Sequence, residues 1–313
     1  MSAGPAGSYD VAGTTLGGVP GELARLEAQA ALSFDEELRI MRDLGLTRAG
    51  PLLELGAGSG AVTRRLRAAE PGLPVIALDV DAELLRHAGG CGAPLVAADG
   101  ARLPLRTGSV GGVLLRYVLQ HLADPAPMLA EVLRVLRPGG TVVVVEVDGM
   151  LWGLAEPMYP ELAHVHAAMA RAQREAGGDR RIGRRLTRLL RRAGFADVLL
   201  RPFATTNDTH PTAAFAPHLG PERLAPLVAA GALSVAELAL AADRWRRFLA
   251  DPDAWVMLLG FAAAGTAPPG PAHSAPEKEP PGSTLTGTAP PGPAPSVPEK
   301  DPEKPARFGR NAP

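Results

Sequence analysis

Hydrophobic positions along the chain follow three different rules in turn. Between residues 20 and 45, Leu23, Leu26, Ala30, Phe34, Leu38 and Met41 recur at near-helical spacing. Ser33 breaks that stretch as an N-cap, and Glu36 three residues later completes a capping box. From Pro51 the period changes. Residues 51–55, 75–79, 95–98, 110–115 and 141–147 are short apolar strands; residues 61–69, 82–87 and 127–136 suit helices, the last stopped by Pro138-Gly139-Gly140. Strands alternating with helices at this spacing imply parallel strands joined by crossover helices. The run Val142-Val143-Val144-Val145 suits a strand covered on both faces, because neither face meets water. The expected fold is α/β, a mostly parallel sheet with helices on both sides.

Residues 151–190 read as helical. Arg180, Arg181, Arg184, Arg185, Arg188, Arg191 and Arg192 mostly form its wet side, opposite Ile182, Leu186, Leu189 and Leu190. An arginine run of this kind is more often a solvated face than an anion site. Gly194 sits where a helix C-terminal glycine belongs, before a strand at residues 198–200. From Thr266 the chain becomes rich in Pro, Gly, Ala, Ser, Glu and Lys, a composition that cannot bury enough apolar surface to offset its ordering entropy. Residues 266–272 return at 288–294, two copies only, too few for a stacked repeat. Residues 266–313 are thus expected to be a disordered tail, a polyproline segment for a weak partner being the alternative.

Charge excludes some roles. The 32 basic and 33 acidic side chains nearly cancel, so no field of one sign draws the chain to nucleic acid or an anionic membrane. Its single cysteine, Cys91, allows neither an intrachain disulfide nor a Cys-based zinc site. The seven histidines show no metal-ligand spacing, and no metal is expected. No apolar run approaches a membrane span, and residues 1–16 lack a secretion signal, so the expected location is cytoplasmic.

The chemistry concentrates at Leu52-Leu-Glu-Leu-Gly-Ala-Gly-Ser-Gly60. A strand runs into a glycine turn and a helix follows. Gly56 and Gly58 permit a tight turn and let a ligand lie on bare backbone, with Ala57 between them. The helix start offers N–H groups to a bound polar group. Taken literally, Gly56-x-Gly58-x-x-Ala61 also satisfies the dinucleotide fingerprint. Glu54 favours another ligand, because a carboxylate there repels a pyrophosphate but suits an ammonium group. Asp79 ends the next strand, where it can accept from ribose hydroxyls under either reading. Asp99-Gly100 follows the third strand and can read an adenine. Singly, these acids serve as well for turns or caps.

The stretch 50–147 resembles the class I S-adenosylmethionine-dependent methyltransferases, especially the branch of ubiquinone and menaquinone C-methyltransferases and related bacterial small-molecule enzymes. The matching pieces are residues 53–60, Ala77-Leu-Asp-Val-Asp81, residues 98–104, Arg116-Tyr-Val-Leu-Gln-His-Leu122 and residues 133–140, in the family's order. The resemblance implies a Rossmann-like sheet of seven strands, the last antiparallel, with strands six and seven from 195–201 and 255–265. It implies S-adenosyl-L-methionine as cofactor. Glu54 would meet the methionine amino group, Gly56, Ala57 and Gly58 would line methionine and ribose, and Asp79 would hold the ribose hydroxyls. Val80 would pack beside the adenine, Asp99 and the Gly100 backbone would read it, and the Arg116 carbonyl would take another amino proton. Arg25 and Gln29, four apart on one helix face, would approach the cofactor's carboxylate or simply be surface residues.

Those implications divide the chain into a helical cap at 1–45, a methyltransferase domain at 46–265 and the tail at 266–313. Within the domain, residues 150–180 and 203–250 would cover the substrate. Methyl transfer needs alignment and exclusion of water, and a base only when the acceptor must lose a proton. His121, His164, His166, Tyr9 and Tyr117 are candidates for that base, none compelling, with Glu146 and Asp148 as further cleft or cap residues. Trp152, Met158, Tyr159, Phe203 and Phe215 would give the pocket an apolar lining for an apolar small-molecule acceptor such as a quinone, polyketide or aromatic metabolite. The competing roles are a fold that binds the cofactor without methylating, a nicotinamide-dependent oxidoreductase, and a scaffold acting through the tail.

Overall fold

Side chains alternate across a strand, so a strand covered on both faces supplies apolar groups at consecutive positions. The computed structural model describes residues 18–269, apart from Ala49 and Trp152. In it β1 (Leu52–Leu55), β4 (Val110–Arg116) and β5 (Leu136–Val147) form the buried centre of a sheet, flanked by β2 (Val75–Asp79) and β3 (Leu95–Ala97). These five strands pair in parallel in the order β3-β2-β1-β4-β5. The expectations for Tyr9 and Trp152, for the first 17 residues of the cap and for residues 270–313 of the tail lie outside the described residues; the expected tail boundary at 266 is two residues early, because Thr266 pairs with Thr141 in the sheet and Ala267 bonds Gly139 and Gly140.

Strand parity decides which helices cover which face. Leu53, Leu55, Val113, Leu115, Val142 and Val144 pack with Leu129 and Val132 of α4 (Ala126–Val135) and with Leu186 and Leu190 of α6 (Leu186–Arg192). The alternate positions Leu52, Leu114, Val143 and Val145 pack with Phe34, Leu38 and Met41 of α1 (Gly18–Asp43) and with Leu66 of α2 (Ala61–Ala69). Each fully buried aliphatic or phenyl group contributes about 1.5–3 kcal/mol. Between β2 and β3, α3 (Ala82–Arg86) starts on Asp81, whose side chain accepts from the Glu83 and Leu84 N–H groups.

Beyond β5 the sheet turns antiparallel. β8 (Trp255–Thr266) lies against β5, and β7 (Ala196–Thr206) against the other edge of β8, so the last strand is antiparallel as expected. A three-residue strand, β6 (Leu154–Glu156), adds an eighth member. It continues the β5 edge, because Met257 pairs with both Leu154 and Thr206.

Two expectations fail here. Residues 151–190 are not one helix: β6 leads into α5 (Pro160–Glu175), and a 3₁₀ turn at Ile182–Arg185 precedes α6. Pro157 and Pro160 cannot continue a helix entered from upstream, and Gly177, with φ of 88°, ends α5. Nor does Ser33 start a helix. It lies inside the unbroken α1, and its hydroxyl donates to the Glu37 carboxylate at 2.6 Å. Mid-helix N–H groups already have backbone acceptors, so the serine turns to a side chain, and Glu36 pairs with Arg39 outside. After β7 come α7 (Ala216–Leu219), α8 (Ala225–Ala229) and α9 (Val235–Ala250), the last opened by a capping box of Ser234 and Glu237. Val165 and Ala168 of α5 share a core with Leu224, Leu233 and Ala241, making a helical group beyond β5.

The parity that places Leu114 under α1 does the same for Arg116. Its Nε donates to Glu37 Oε2 at 2.6 Å and its Nη2 to Oε1 at 3.0 Å, with Nη2 also reaching the Gln29 carbonyl and Ser33 Oγ. The guanidinium carbon sits 4.4 Å from the centre of the Tyr117 ring. Both partners are almost fully buried, 8% and 0% exposed at the side chain. Removing one side of a buried pair leaves the other charge without compensation, at about 3–5 kcal/mol. Glu37→Ala is therefore expected to lower unfolding stability in urea by that amount, while Glu36→Ala, outside the core, changes it by about 0.5 kcal/mol or less. Equal effects from the two substitutions would contradict this account.

Candidate cofactor and acceptor cleft

A cleft of about 1280 Å³ opens over the C-terminal ends of the parallel strands, where open α/β sheets place their ligands. Glu54, Gly56, Ala57, Gly58, Asp79, Val80, Asp99, Gly100 and Arg116 all line it, as do Arg25 and Gln29. The structure therefore brings together every residue that the sequence nominated for the cofactor.

The turn after β1 is left-handed at Gly56, Gly58 and Gly60, with φ of 83°, 54° and 72°. Gly56 has a second reason to lack a side chain: a Cβ there would lie 2.3 Å from Val118 Cγ2. Bare backbone at Gly56 thus lets the β1 and β4 loops meet, while Gly58 borders the cleft. Asp79 spans the turn. Its Oδ2 accepts from the Gly58 N–H at 2.7 Å and its Oδ1 from the Asp81 N–H at 2.9 Å. Asp99 is exposed and accepts from the Ala101 N–H at 2.8 Å. These two acids hold their own loops as well as facing the cleft.

Glu54 is 3% exposed, on the α1–α2 face of β1, and its Oε2 accepts from Thr63 Oγ1 at 2.5 Å. Burial pushes its carboxyl up to about 7, against the opposing pull of the Thr63 hydrogen bond and the Arg116 charge. Burial also raises Asp79. An acid in this state is stabilised as the carboxylate by a cation entering the cleft.

The Arg116 side chain turns away to Glu37, so whatever Arg116 offers the cleft comes from its backbone. Arg25 donates to Glu22 at 2.5 and 2.8 Å and to Gln29 Oε1 at 3.3 Å, one polar row along α1 at the cleft wall.

Among the candidate bases, His121 and Tyr117 line the cleft, and His164 and His166 do not. His164 pairs with Glu237 at 2.9 Å, and His166 meets the Leu219 carbonyl at 3.2 Å. His121 Nδ1 lies 3.5 Å from Gln173 Nε2. Burial, with the Arg180, Arg25 and Arg223 charges, pushes its imidazole down to about 3, making it a weak base. The Tyr117 phenol is raised by burial. Glu146 lies beneath the loop after β4, accepting from the Gln120 N–H at 3.2 Å, and Asp148 pairs with Arg184.

Among the described residues, the side chains expected to line the acceptor pocket lie elsewhere. Phe203 packs in the α1-side core and fills the space over Gly260, Phe215 is fully buried in a separate cluster with Trp245 and Phe248, Tyr159 packs against that cluster, and Met158 is 70% exposed. The wall at that end is instead Val19, Leu26, Met169, Val147 and Leu227, with Gln173, Arg180 and Arg223 as its polar groups. Of the arginine run, Arg181, Arg184, Arg185, Arg188, Arg191 and Arg192 are exposed as expected, but Arg180 is half-buried and faces the cleft. It lies in the turn before the 3₁₀ segment, where helical spacing does not apply.

The donor set suits a sulfonium nucleoside. Glu54 offers a buried carboxyl to an ammonium group, Asp79 and Asp99 offer acceptors at successive strand ends, and Gly58 leaves backbone uncovered. Among the described residues, no group of His, Cys, Asp and Glu could hold a metal ion.

Known proteins share parts of this chain's sequence and fold. Residues 53–144 match the methyltransferase domain family. Over 195 residues the chain is 34% identical to an uncharacterized protein in transposon TN4556 of Streptomyces fradiae, covering 60% of this chain and 56% of that one. Over 139 residues it is 32% identical to demethylmenaquinone methyltransferase of Corynebacterium urealyticum, covering 43% and 56%. The chain thus spans about half the length of these curated relatives. Phosphoethanolamine N-methyltransferase 2 of Haemonchus contortus, solved with phosphomonomethylethanolamine and S-adenosylhomocysteine, aligns with a TM-score of 0.48 at 18% identity, over 77% of this chain and 56% of that one. The fold is Rossmann-like, a mostly parallel sheet with its cleft over the strand ends. By this match and these relatives, the chain resembles the class I S-adenosylmethionine-dependent methyltransferases, above all over residues 53–144.

The Glu54 carboxyl links the cleft to stability. Its folded-state pKa lies above the ordinary value near 4.5, so the folded protein holds that proton more tightly than the unfolded chain. Stability contributed by the protonated form is present below about 4.5 and is lost as pH rises through about 7, a loss of roughly 3 kcal/mol. Glu54→Gln removes that slope. Urea unfolding without ligand should find the variant more stable than the parent at pH 8 and equal to it near pH 4.5. A parent that is the more stable at pH 8 would refute the assignment.

Proposed function

We propose that this chain transfers the methyl group of S-adenosyl-L-methionine to a small-molecule acceptor, an oxygen, nitrogen or carbon nucleophile. The observation that carries the reading is the convergence of Glu54, Asp79 and Asp99, from the ends of three neighbouring strands, on one cleft beside the Gly56–Gly58 turn. The cofactor brings a methyl group on a positively charged sulfur, a leaving group that needs no protonation.

Glu54 binds the methionine ammonium, which keeps its own buried carboxyl ionised. Asp79 accepts from the ribose hydroxyls while bracing the Gly58 turn, and Asp99 with the Gly100 backbone reads the adenine beside Val80. Gly56, Ala57 and Gly58 line the methionine and ribose, and the Arg116 carbonyl takes a further amino proton. Arg25 and Gln29 of α1 line the cleft, which supports contact with the cofactor carboxylate and a capping role for this helix. The helical group of α5, α8 and α9, from about 150–180 and 203–250, covers the acceptor. Its apolar side chains exclude water and align the nucleophile, the main task in such a displacement. His121 shapes the loop through Gln173 rather than removing a proton.

Calorimetry with S-adenosylhomocysteine tests the reading. The full chain is expected to bind it, and Asp79→Ala to bind at least tenfold more weakly, as the loss of charge-assisted hydrogen bonds predicts. Label from methyl-labelled cofactor should pass to members of an acceptor panel. Absence of nucleoside binding in the intact protein, or identical binding by Asp79→Ala, would refute it.

A further inference from the structure

The acceptor end of the cleft carries a charge that its surroundings leave uncompensated. Resting on the methyl-transfer reading above, we propose that this end receives an anionic oxygen group, a carboxylate or phosphate borne by an otherwise apolar acceptor, which docks on the Arg180 guanidinium.

Arg180 is seated by its backbone. The Gly149 N–H donates to its carbonyl at 2.6 Å, and its stem crosses Gly149, where an added Cβ would lie 3.1 Å from Arg180 Cβ and 3.4 Å from its Nε. The guanidinium faces the cleft, and its Nη1 donates to the neutral Gln173 Oε1 at 3.2 Å. Gln173 in turn donates to the Gln120 carbonyl at 3.0 Å, so this partner is fixed to the loop after β4. The neighbouring arginines are matched otherwise: Arg184 has Asp148, Arg185 has Asp179 and Arg25 has Glu22. Among the described residues, no carboxylate lies within ion-pair distance of Arg180.

The acid whose charge Arg180 feels is Glu146, on the α4–α6 side of β5. Glu146 is fully buried, with Oε1 on the Gln120 N–H and no hydrogen-bond partner for Oε2. Burial pushes it up to about 8, so near pH 7 it is mostly protonated and cancels little of the guanidinium charge. Burial, with the Arg25 charge and against the opposing pull of Glu146, brings Arg180 itself down to about 10. A half-buried guanidinium without a counter-ion is costly, and a ligand carboxylate or phosphate meets it with paired hydrogen bonds. The rest of that wall, Leu26, Val147, Met169 and Leu227, suits an apolar body.

The test is calorimetry on the full chain, with and without saturating S-adenosylhomocysteine, using benzoate, phenyl phosphate and the neutral isostere benzamide. At least one anion is expected to bind at least tenfold more tightly than benzamide, and the stronger of the two identifies carboxylate or phosphate as the preferred group. Arg180→Gln should lose at least tenfold for that anion while S-adenosylhomocysteine affinity stays within twofold, which also shows that the variant is folded. Arg180→Lys should recover part of the loss. Anion binding that survives Arg180→Gln, benzamide binding as well as either anion, or no anion binding would overturn the proposal. So would an equal loss for S-adenosylhomocysteine, which would place Arg180 on the cofactor. Failure of the parent to bind S-adenosylhomocysteine would instead sink the methyl-transfer reading, whatever the anions do.

Discussion

The buried pair of Arg116 and Glu37 is the interaction on which the site depends. It joins the last residue of the central strand β4 to the middle of α1 through two short hydrogen bonds, with Ser33 and the Gln29 carbonyl completing the guanidinium's contacts. Because both groups are shielded from water, the pair tolerates little displacement, and α1 is held over one face of the sheet. That position brings Arg25, Leu26 and Gln29 to the cleft wall. Glu54 lies on the same face of the sheet, buried, and its carboxyl there needs a proton or a cation.

The cleft is electrically divided. Acids from the ends of β1, β2 and β3 stand at one side, and the guanidinium groups of Arg25, Arg180 and Arg223 at the other. A chain whose charges nearly cancel in total can carry such a separation at short range, where low dielectric keeps each group's field strong. The acidic side suits a cationic amino group and the hydroxyls of a nucleoside. Burial, with the charges of the basic side, disfavours the protonated form of His121.

Much of the fold was legible because it rests on local periodicity. The helix at 61–69 coincides with α2, and the continuous apolar runs at 52–55 and 142–145 lie in strands covered on both faces. Legibility faded where a residue's meaning depended on distant neighbours. Ser33 and Glu36 have the spacing of a capping box, yet α1 runs through them because Phe34, Leu38 and Met41 bury a continuous stripe on the sheet. Phe203 and Phe215 looked like pocket lining by composition, but the helical group and β8 absorb them into cores.

The sequence by itself determined the alternation of strand and helix, the glycine turn and the three strand-end acids, because these follow from spacing along one chain. Tertiary structure decided the rest. Parity put Arg116 on the α1 face, but only the packing of α1 made Glu37 its partner. The arginine run reads as one wet surface in sequence, and only the turn before residue 182 sends Arg180 inward while its six companions stay in solvent. Local spacing specifies which face a side chain leaves by; what it meets there is set by which distant segment covers that face.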